Sequence, residues 1–534
     1  MGRRRRSISK SIEAMESRVF LSGTVQTELI GDTLFIRGDD AANSIKLTEI
    51  AIAGGGPVLT TELVAPLGGI ERNAQSQSGE LVFQIFVPGV THTLVSGWAV
   101  EGLDGTVIEG RTAFEIPTNI VIELGGGDDT LRMVSGRVNN LSIDMGWGAD
   151  KVVLYRLGAT GQTSVITGTG NDTVELSGTG PRTTLTGYNN LLISTGDGDD
   201  FVYGNSFLVS GDMAVHTGSG DDRVWLSSKY SFVPDIDPDH DVHINGTVSQ
   251  SQSTLPTGRT IQLNSLTVKT YTGQDDVQLE HVWAEGYARI DAETVAIATA
   301  HLGRTIVVSD TVTVGDAGAY RGVRDLFSPY IFDVIFTDDA AIIGEATIES
   351  TRALRNLGVS GNSRDDSIQL GALAANNDNG LYPGVDVVQM LSARSESTVL
   401  LDSVRVFGSW ARISGDTVTL NHVVSSGRLP RGDGRTIRVR GMSSVDIDHL
   451  IAEHLIVYTG SIGIGIGNDV VRLNDVYTTM SSYMLTGEGN DNVQITNSLF
   501  LDTFIIDGGA GIDTRTYAVP STNLIWRNFE FPPF

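Results

Sequence analysis

One spacing constrains this chain more than any other feature. The pattern Gly-x-Gly-x-Asp, followed closely by an apolar residue, occurs at Gly125/Gly127/Asp129, Gly146/Gly148/Asp150, Gly168/Gly170/Asp172, Gly196/Gly198/Asp200 and Gly218/Gly220/Asp222. It returns at Gly465/Gly467/Asp469, Gly487/Gly489/Asp491 and Gly509/Gly511/Asp513. The Asp-to-Asp steps are 21, 22, 28 and 22 in the first block and 22 and 22 in the last. A fixed period of this size marks a structural unit that stacks on copies of itself. Between the blocks the pattern decays to Gly273/Asp275/Val277, Asp366/Ile368 and Asp416/Val418, with steps of 53, 91, 50 and 53, read as layers of the same architecture with insertions.

Each unit has one grammar: a Val-x-Leu strand after the Asp, a polar residue five positions past it, a short strand, then another strand leading into the next glycines. Helical periodicity is nowhere sustained. Strand alternation sends Leu131, Val152, Val174, Val202, Val224, Val471 and Val493 inward as one column. Met133, Leu154, Leu176, Leu226, Leu279, Leu473 and Ile495 form a second. The expected fold is all-β, a right-handed parallel β-helix, or solenoid, of about 22-residue coils. Residues 118–514 give roughly 18 coils, hence a rod of roughly 90 Å at about 4.8 Å per coil.

The remaining segments follow from that frame. Residues 1–22 read as a basic leader, 23–117 as a β-rich N-terminal cap continuous with the solenoid, and 515–534 as a C-terminal cap. Insertions are expected near 229–258 and 376–398. Arg515 falls on an inward position, where a dry column rejects a charge, so the coil is expected to stop there. Trp526, Phe529, Phe531 and Phe534 would then fold over the open end and shield strand edges.

Composition narrows the functional classes. The formal charge is -27, from 64 acidic and 37 basic residues, which argues against nucleic acid or an anionic membrane as partner. Divalent cations are the more natural counter-charge. Cysteine is absent, which removes disulfides, zinc-thiolate sites and thiol catalysis together. No run approaches the roughly 18 to 20 apolar residues of a membrane-spanning helix. The basic start Arg3 to Arg6 is followed by only a short apolar stretch, Val19-Phe20-Leu21, too brief for an ordinary secretory signal.

Two resemblances add to this. The Gly-x-Gly-x-Asp units resemble the RTX-type calcium repeat, although that family runs its nonapeptides in tandem and here one copy falls in each coil. Met15-Glu16-Ser17-Arg18-Val19-Phe20-Leu21-Ser22 resembles the LEPR-XLL motif found near the N-terminus of large surface-associated proteins of planctomycete bacteria, many of which continue into Gly/Asp-rich solenoids. Met15 and Phe20 stand where that motif usually has Leu. The resemblance implies an exported protein, extracellular or at the cell surface.

Stacking brings the aspartates into a column. Like charges about 4.8 Å apart repel by roughly 1 kcal/mol in water and about 3.5 kcal/mol at an effective dielectric of 20, so something must offset them. Turn N–H groups are one means. Calcium is the other, since doubled acids at Asp128, Asp199 and Asp221 and free turn carbonyls give hard oxygen donors. The candidate metal ligands are Asp129, Asp150, Asp172, Asp200, Asp222, Asp469, Asp491 and Asp513.

On the outward side Tyr203 and Trp225 are stacked neighbours, with Trp147 nearby in a turn. Together they offer a surface for a glycan or protein partner, or they pack under the neighbouring insertion. Asp235 to His243 alternates carboxylates with His240 and His243 but lacks the glycine and terminal glutamate of an EF-hand, so it reads as an acidic loop. The Gly-Asp-Asp triplets resemble the paired acids of β-helical polygalacturonases, yet they recur in register with the repeat, and Arg438-Val439-Arg440 matches that family's basic partner poorly. No residue is assigned a catalytic role.

The expectation is a non-enzymatic structural or adhesive rod. Its partners would be cell-surface glycans, other surface proteins or further copies of itself, with no nucleic acid and no transmembrane segment. The alternative is a β-helical polysaccharide lyase or another carbohydrate-active protein.

Overall fold

The structure is a computed structural model and describes residues 23–53, 94–115, 117–177, 187–205, 207–227, 261–280, 282–298, 300–315, 334–348, 351–371, 385–387, 389–408, 410–425, 435–459, 467–518 and 523–529. The leader with its Met15–Ser22 motif, the 229–258 insertion and the acidic loop at 235–243 lie outside the described residues.

The described residues form 39 strands joined in one hydrogen-bonded network. From residue 119 onward every pairing between named strands is parallel, and no helix long and apolar enough to cross a membrane occurs among the described residues. Three ladders carry the chain. In the first, 130–134 lies beside 151–155, then Thr173–Ser177, Phe201–Asn205, Arg223–Ser227 and Asp276–Glu280, with the series ending at Thr514–Ala518. The second runs from Asn119–Glu123 through Asn140–Asp144 and 163–166 to Leu524–Arg527. The third starts at 136–138 and passes through Val334–Phe336, Thr351–Ala353, Val385–Val387 and Val404–Val406 to Leu499–Phe500.

Register decides the core. Val152 pairs with Val174, and Leu154 with Leu176, so identical inward positions stand directly over one another. Both expected aliphatic columns are buried: Leu131, Val152, Val174, Val202, Val224, Val471 and Val493 in one, and Met133, Leu154, Leu176, Leu226, Leu279, Leu473 and Ile495 in the other. Each such side chain contributes about 1.5–3 kcal/mol of transfer free energy. The alternation that places them also places every second residue outside, which is how one strand sequence serves two environments.

The layers are less uniform than the repeat suggests. Arg223–Ser227 pairs directly with Asp276–Glu280, so the 53-residue step from Asp222 to Asp275 is a single layer carrying one long insertion. Asp276 pairs with Thr294 and Thr294 with Thr311, steps of 18 and 17 residues. Between Thr130 and Thr514 the first ladder has 16 rungs rather than 18. Part of the stretch read as an insertion, 376–398, belongs to the ladders: Val385–Val387 and Met390–Arg394 pair with the layers on both sides.

The two ends differ in construction. At the N-terminal end, Thr24–Ile30 pairs antiparallel with Thr33–Arg37, and Ser44–Ala53 antiparallel with Leu94–Gly102. Thr33–Arg37 and 44–48 then join the parallel ladders as a first layer, and buried Trp98 and Phe114 fill the end of the core. At the other end the last described rung of the first ladder is the one that carries Arg515, which pairs in register with Val493. Its charge is accommodated because the guanidinium lies 5.1 Å from the ring centroid of Trp526, which in turn meets Phe529 at 5.0 Å.

Candidate functional site

The repeat turns are held by glycine for a geometric reason. Gly168 has φ +101°, and a Cβ there would lie 1.6 Å from the carbonyl oxygen of Gly146 in the preceding layer. No L-residue fits a backbone packed that closely. The close approach lets the turns bond to one another, as in the N–H of Thr169 to the carbonyl of Gly146 and the N–H of Gly170 to that of Asp197.

Close stacking then builds two side-chain ladders. In the inner one, each aspartate Oδ1 accepts the backbone N–H of the aspartate one layer before. Asp129 N–H reaches Asp150 at 2.7 Å, Asp150 reaches Asp172 at 2.8 Å, Asp172 reaches Asp200 at 2.8 Å, and Asp200 reaches Asp222 at 3.0 Å. Asp222 continues to Asp275 at 2.9 Å, and Asp275 N–H reaches Glu293 Oε2 at 3.4 Å. Asn43 N–H opens the series on Asp129 at 2.6 Å. A second run links Asp469, Asp491 and Asp513 at 2.9 and 2.8 Å. All eight predicted aspartates are buried, at 1–2% exposure.

The outer ladder uses the preceding residue. Asp128 accepts from Ala149 N–H, Asn171 from Asp199, Asp199 from Asp221, Asn468 from Asn490 and Asn490 from Ile512. This explains why Asn and Asp alternate freely there: the ladder needs one side-chain oxygen, in water, and both residues supply it.

The inner carboxyls are electrostatically unusual. In Asp129, Asp150, Asp172, Asp200, Asp222, Asp275, Asp469 and Asp491 the second oxygen, Oδ2, is buried and meets no donor. Burial pushes Asp129 up to about 8, Asp150 and Asp200 to about 7 and Asp469 to about 6; neighbouring aspartates add to the rise, and hydrogen bonds received by the carboxyls oppose it. Asp172, Asp222 and Asp491 are raised by burial in the same way. Thr167, Thr195, Thr217 and Thr486, five residues before their aspartates, pull these values down, but a hydroxyl has one proton to give. Thr167 gives it to the carbonyl of Thr195, Thr195 to that of Thr217, and Thr486 to that of Gly508. The threonine oxygen is thereby left as an acceptor, which suits a protonated Oδ2 better than an ionised one.

This threonine column escaped the sequence reading, although Thr-Gly recurs at 167–168, 195–196, 217–218 and 486–487. Glu293 also escaped it. It takes the aspartate's place where the glycine turn is lost, and a shorter turn through Asp291 and Ala292 replaces it.

Two of the three aromatics are in ring contact. Tyr203 and Trp225 meet edge to face at 5.8 Å, and Phe201 stacks on Tyr203 at 6.2 Å. Trp147 stands on the turn stack, bridging Gly126 and Thr169, and is 57% exposed. Among the described residues no group of three or more Asp, Glu or His side chains is arranged to hold a metal ion. No family model, curated protein or solved structure matches the chain.

Proposed function

We propose that the chain is a right-handed parallel β-helix serving as a non-enzymatic structural or adhesive rod, exported to the cell surface. The observation that carries this reading is the register: inward positions stay superposed from layer to layer across insertions, missing turns and short layers. Right-handedness rests on the general rule for parallel crossovers. Sixteen rungs about 4.8 Å apart give a length of roughly 75 Å before the end layers are added. Surface location rests on the resemblance of residues 15–22 to the LEPR-XLL motif. Small-angle scattering from the full chain tests the architecture: a pair-distance distribution skewed to a long tail, the signature of a rod, supports it, and a symmetric bell-shaped distribution, the signature of a globule, overturns it. Fractionation of the native cells tests the location.

A second reading concerns the column. Calcium between layers is favoured by the stack of partnerless Oδ2 atoms, which are the oxygens an ion would draw on. A melting midpoint unchanged between excess calcium and EGTA removes that reading and leaves the proton-bearing column.

A further inference from the structure

The chain is acidic overall, yet one outward face gathers arginines with no acidic partner among the described residues. The strands Met390–Arg394, Trp410–Ser425, Thr436–Ala452 and His454–Thr459 run side by side. Their pairing aligns Ser392, Arg412 and Arg438 in one row and Arg394, Ser414 and Arg440 in the next, two residues along. Leu391, Ala393, Ile413 and Val439 alternate with these residues and fill the core, so the arginines face outward. Rows one layer apart are separated by about 4.8 Å. The indole of Trp410, 41% exposed, has two guanidinium groups close to its ring, Arg412 at 5.9 Å and Arg438 at 5.7 Å from the centroid.

Two nearby arginines have carboxylate partners. Arg364 pairs with Glu396 at 3.6 Å, and Arg435 with Glu453 at 3.6 Å. Asp416 accepts the Ser443 hydroxyl. Among the described residues no carboxylate pairs with Arg394, Arg412, Arg438 or Arg440, and the Nε atoms of Arg438 and Arg440 are buried without a partner. An unpaired guanidinium in a chain with 64 acids is a donor fork available to an outside anion.

We propose that this face binds an acidic polysaccharide, the arginine forks taking its carboxylates and Trp410 receiving the apolar face of a sugar ring. An extended polymer matches a flat lattice of repeated rows, and an aromatic with cations close to it suits a ring that carries a charge. Nucleic acid has the same sign of charge at higher density, and the net -27 of the chain opposes it more strongly. The proposal gives the rod a ligand and rests on its architecture only for the shared face of these strands.

The test uses the full chain with polygalacturonate, neutral dextran and single-stranded DNA at low and high salt. Polygalacturonate is expected to bind, with binding weakened by salt. The exposed pair Arg394→Gln/Arg412→Gln is expected to bind at least tenfold more weakly with an unchanged melting midpoint, and Trp410→Ala severalfold more weakly. Arg223→Gln, on a different ladder, should bind as wild type. The proposal fails if wild type ignores polygalacturonate, if the double variant binds as well as wild type, if DNA binds more tightly, or if the arginines prove to mediate self-association alone. Scattering on the same samples reports the rod separately, so a lost ligand and a wrong architecture are distinguishable. Appearance of an ultraviolet-absorbing unsaturated product would move the assignment from binding to lyase chemistry.

Discussion

Two stretches of the molecule stack by different means. From Gly125 to Asp222 each layer turns through Gly-x-Gly-x-Asp and adds a rung to the carboxyl ladder. From Glu293 to Asp416 the layers turn without that pattern, yet the superposed Val295, Val312, Ala346, Ile368, Val399 and Val418 are buried like Val174 or Val224. Aliphatic superposition therefore suffices to hold the ladder. The glycine-aspartate turns are an additional polar spine laid along part of it. Aspartates in the two stretches show the contrast directly. Asp172 sits in the spine with an orphaned oxygen and is raised by burial. Asp366 feels an upward push from burial too, but the Ser363 hydroxyl and the N–H groups of Ser363 and Asn362 outweigh it and hold it below its ordinary value.

The largest contrast should come from glycine. Gly196 has φ +99°, and a Cβ there would lie 1.8 Å from the carbonyl oxygen of Gly168, whereas a Cβ on Gly358 would come no nearer than 3.8 Å to any atom. Gly196→Ala is expected to cost about 3 kcal/mol or more, from left-handed strain plus forced separation of two layers. Gly358→Ala should fall within about 1 kcal/mol of wild type, because the space is open. Urea melts of both variants decide it; equal losses would mean that the turns have no special role.

Titration should separate the stretches next. In the spine the folded pKa values lie above the unfolded value near 3.8, so the folded state holds more protons across the interval between them. The stabilisation is complete below about pH 4 and is lost as pH rises through about 6 to 8, at about 1.4 kcal/mol per pH unit for each group titrating. Asp366 works in the opposite direction: its contribution is present above its unfolded value and lost on acidification. Asp200→Asn keeps an oxygen for the Asp172 N–H and adds N–H donors where Oδ2 stood, so it should raise stability at pH 8 and flatten the pH profile. Asp366→Asn should instead destabilise at pH 8. If calcium neutralises the column, Asp200→Asn will lower the melting midpoint in calcium, which turns the same variant into a test between cation and proton.

The regular stretch was legible in the sequence because two independent periods coincided there. The spacing near 22 fixed which residues repeat, and alternation fixed which face they take, so Val152 and Leu154 could be placed without coordinates. The middle was poorly legible because its layers shrink to 17 and 18 residues and lose their glycines, leaving Thr294–Ala298 and Ala300–Val314 as unmarked strands. The aspartates were visible as a column, but not the direction of their carboxyls. That depends on how closely neighbouring turns approach, which a single unit does not encode. Arg438 and Arg440 stood out only as a poor match to a catalytic pattern. Their meaning comes from Arg394 and Arg412, which are distant in sequence and adjacent in register.

The smallest effect belongs to the outer ladder, and it sharpens the division between buried and solvated rungs. Asp199 gives its N–H to Asn171 and accepts from Asp221 N–H at 3.0 Å, in water and beside other acids. Asp199→Asn preserves the acceptor and removes one charge from a crowded corner. The expected change is a gain of less than about 0.5 kcal/mol at low salt, disappearing by about 1 M salt as screening shortens to about 3 Å. The inner Asp200→Asn should keep its effect at the same salt, because buried charges are screened far less. Melting both variants across a salt series reads the two rungs side by side: a salt-insensitive Asp199→Asn would show that the outer ladder, too, is shielded from solvent.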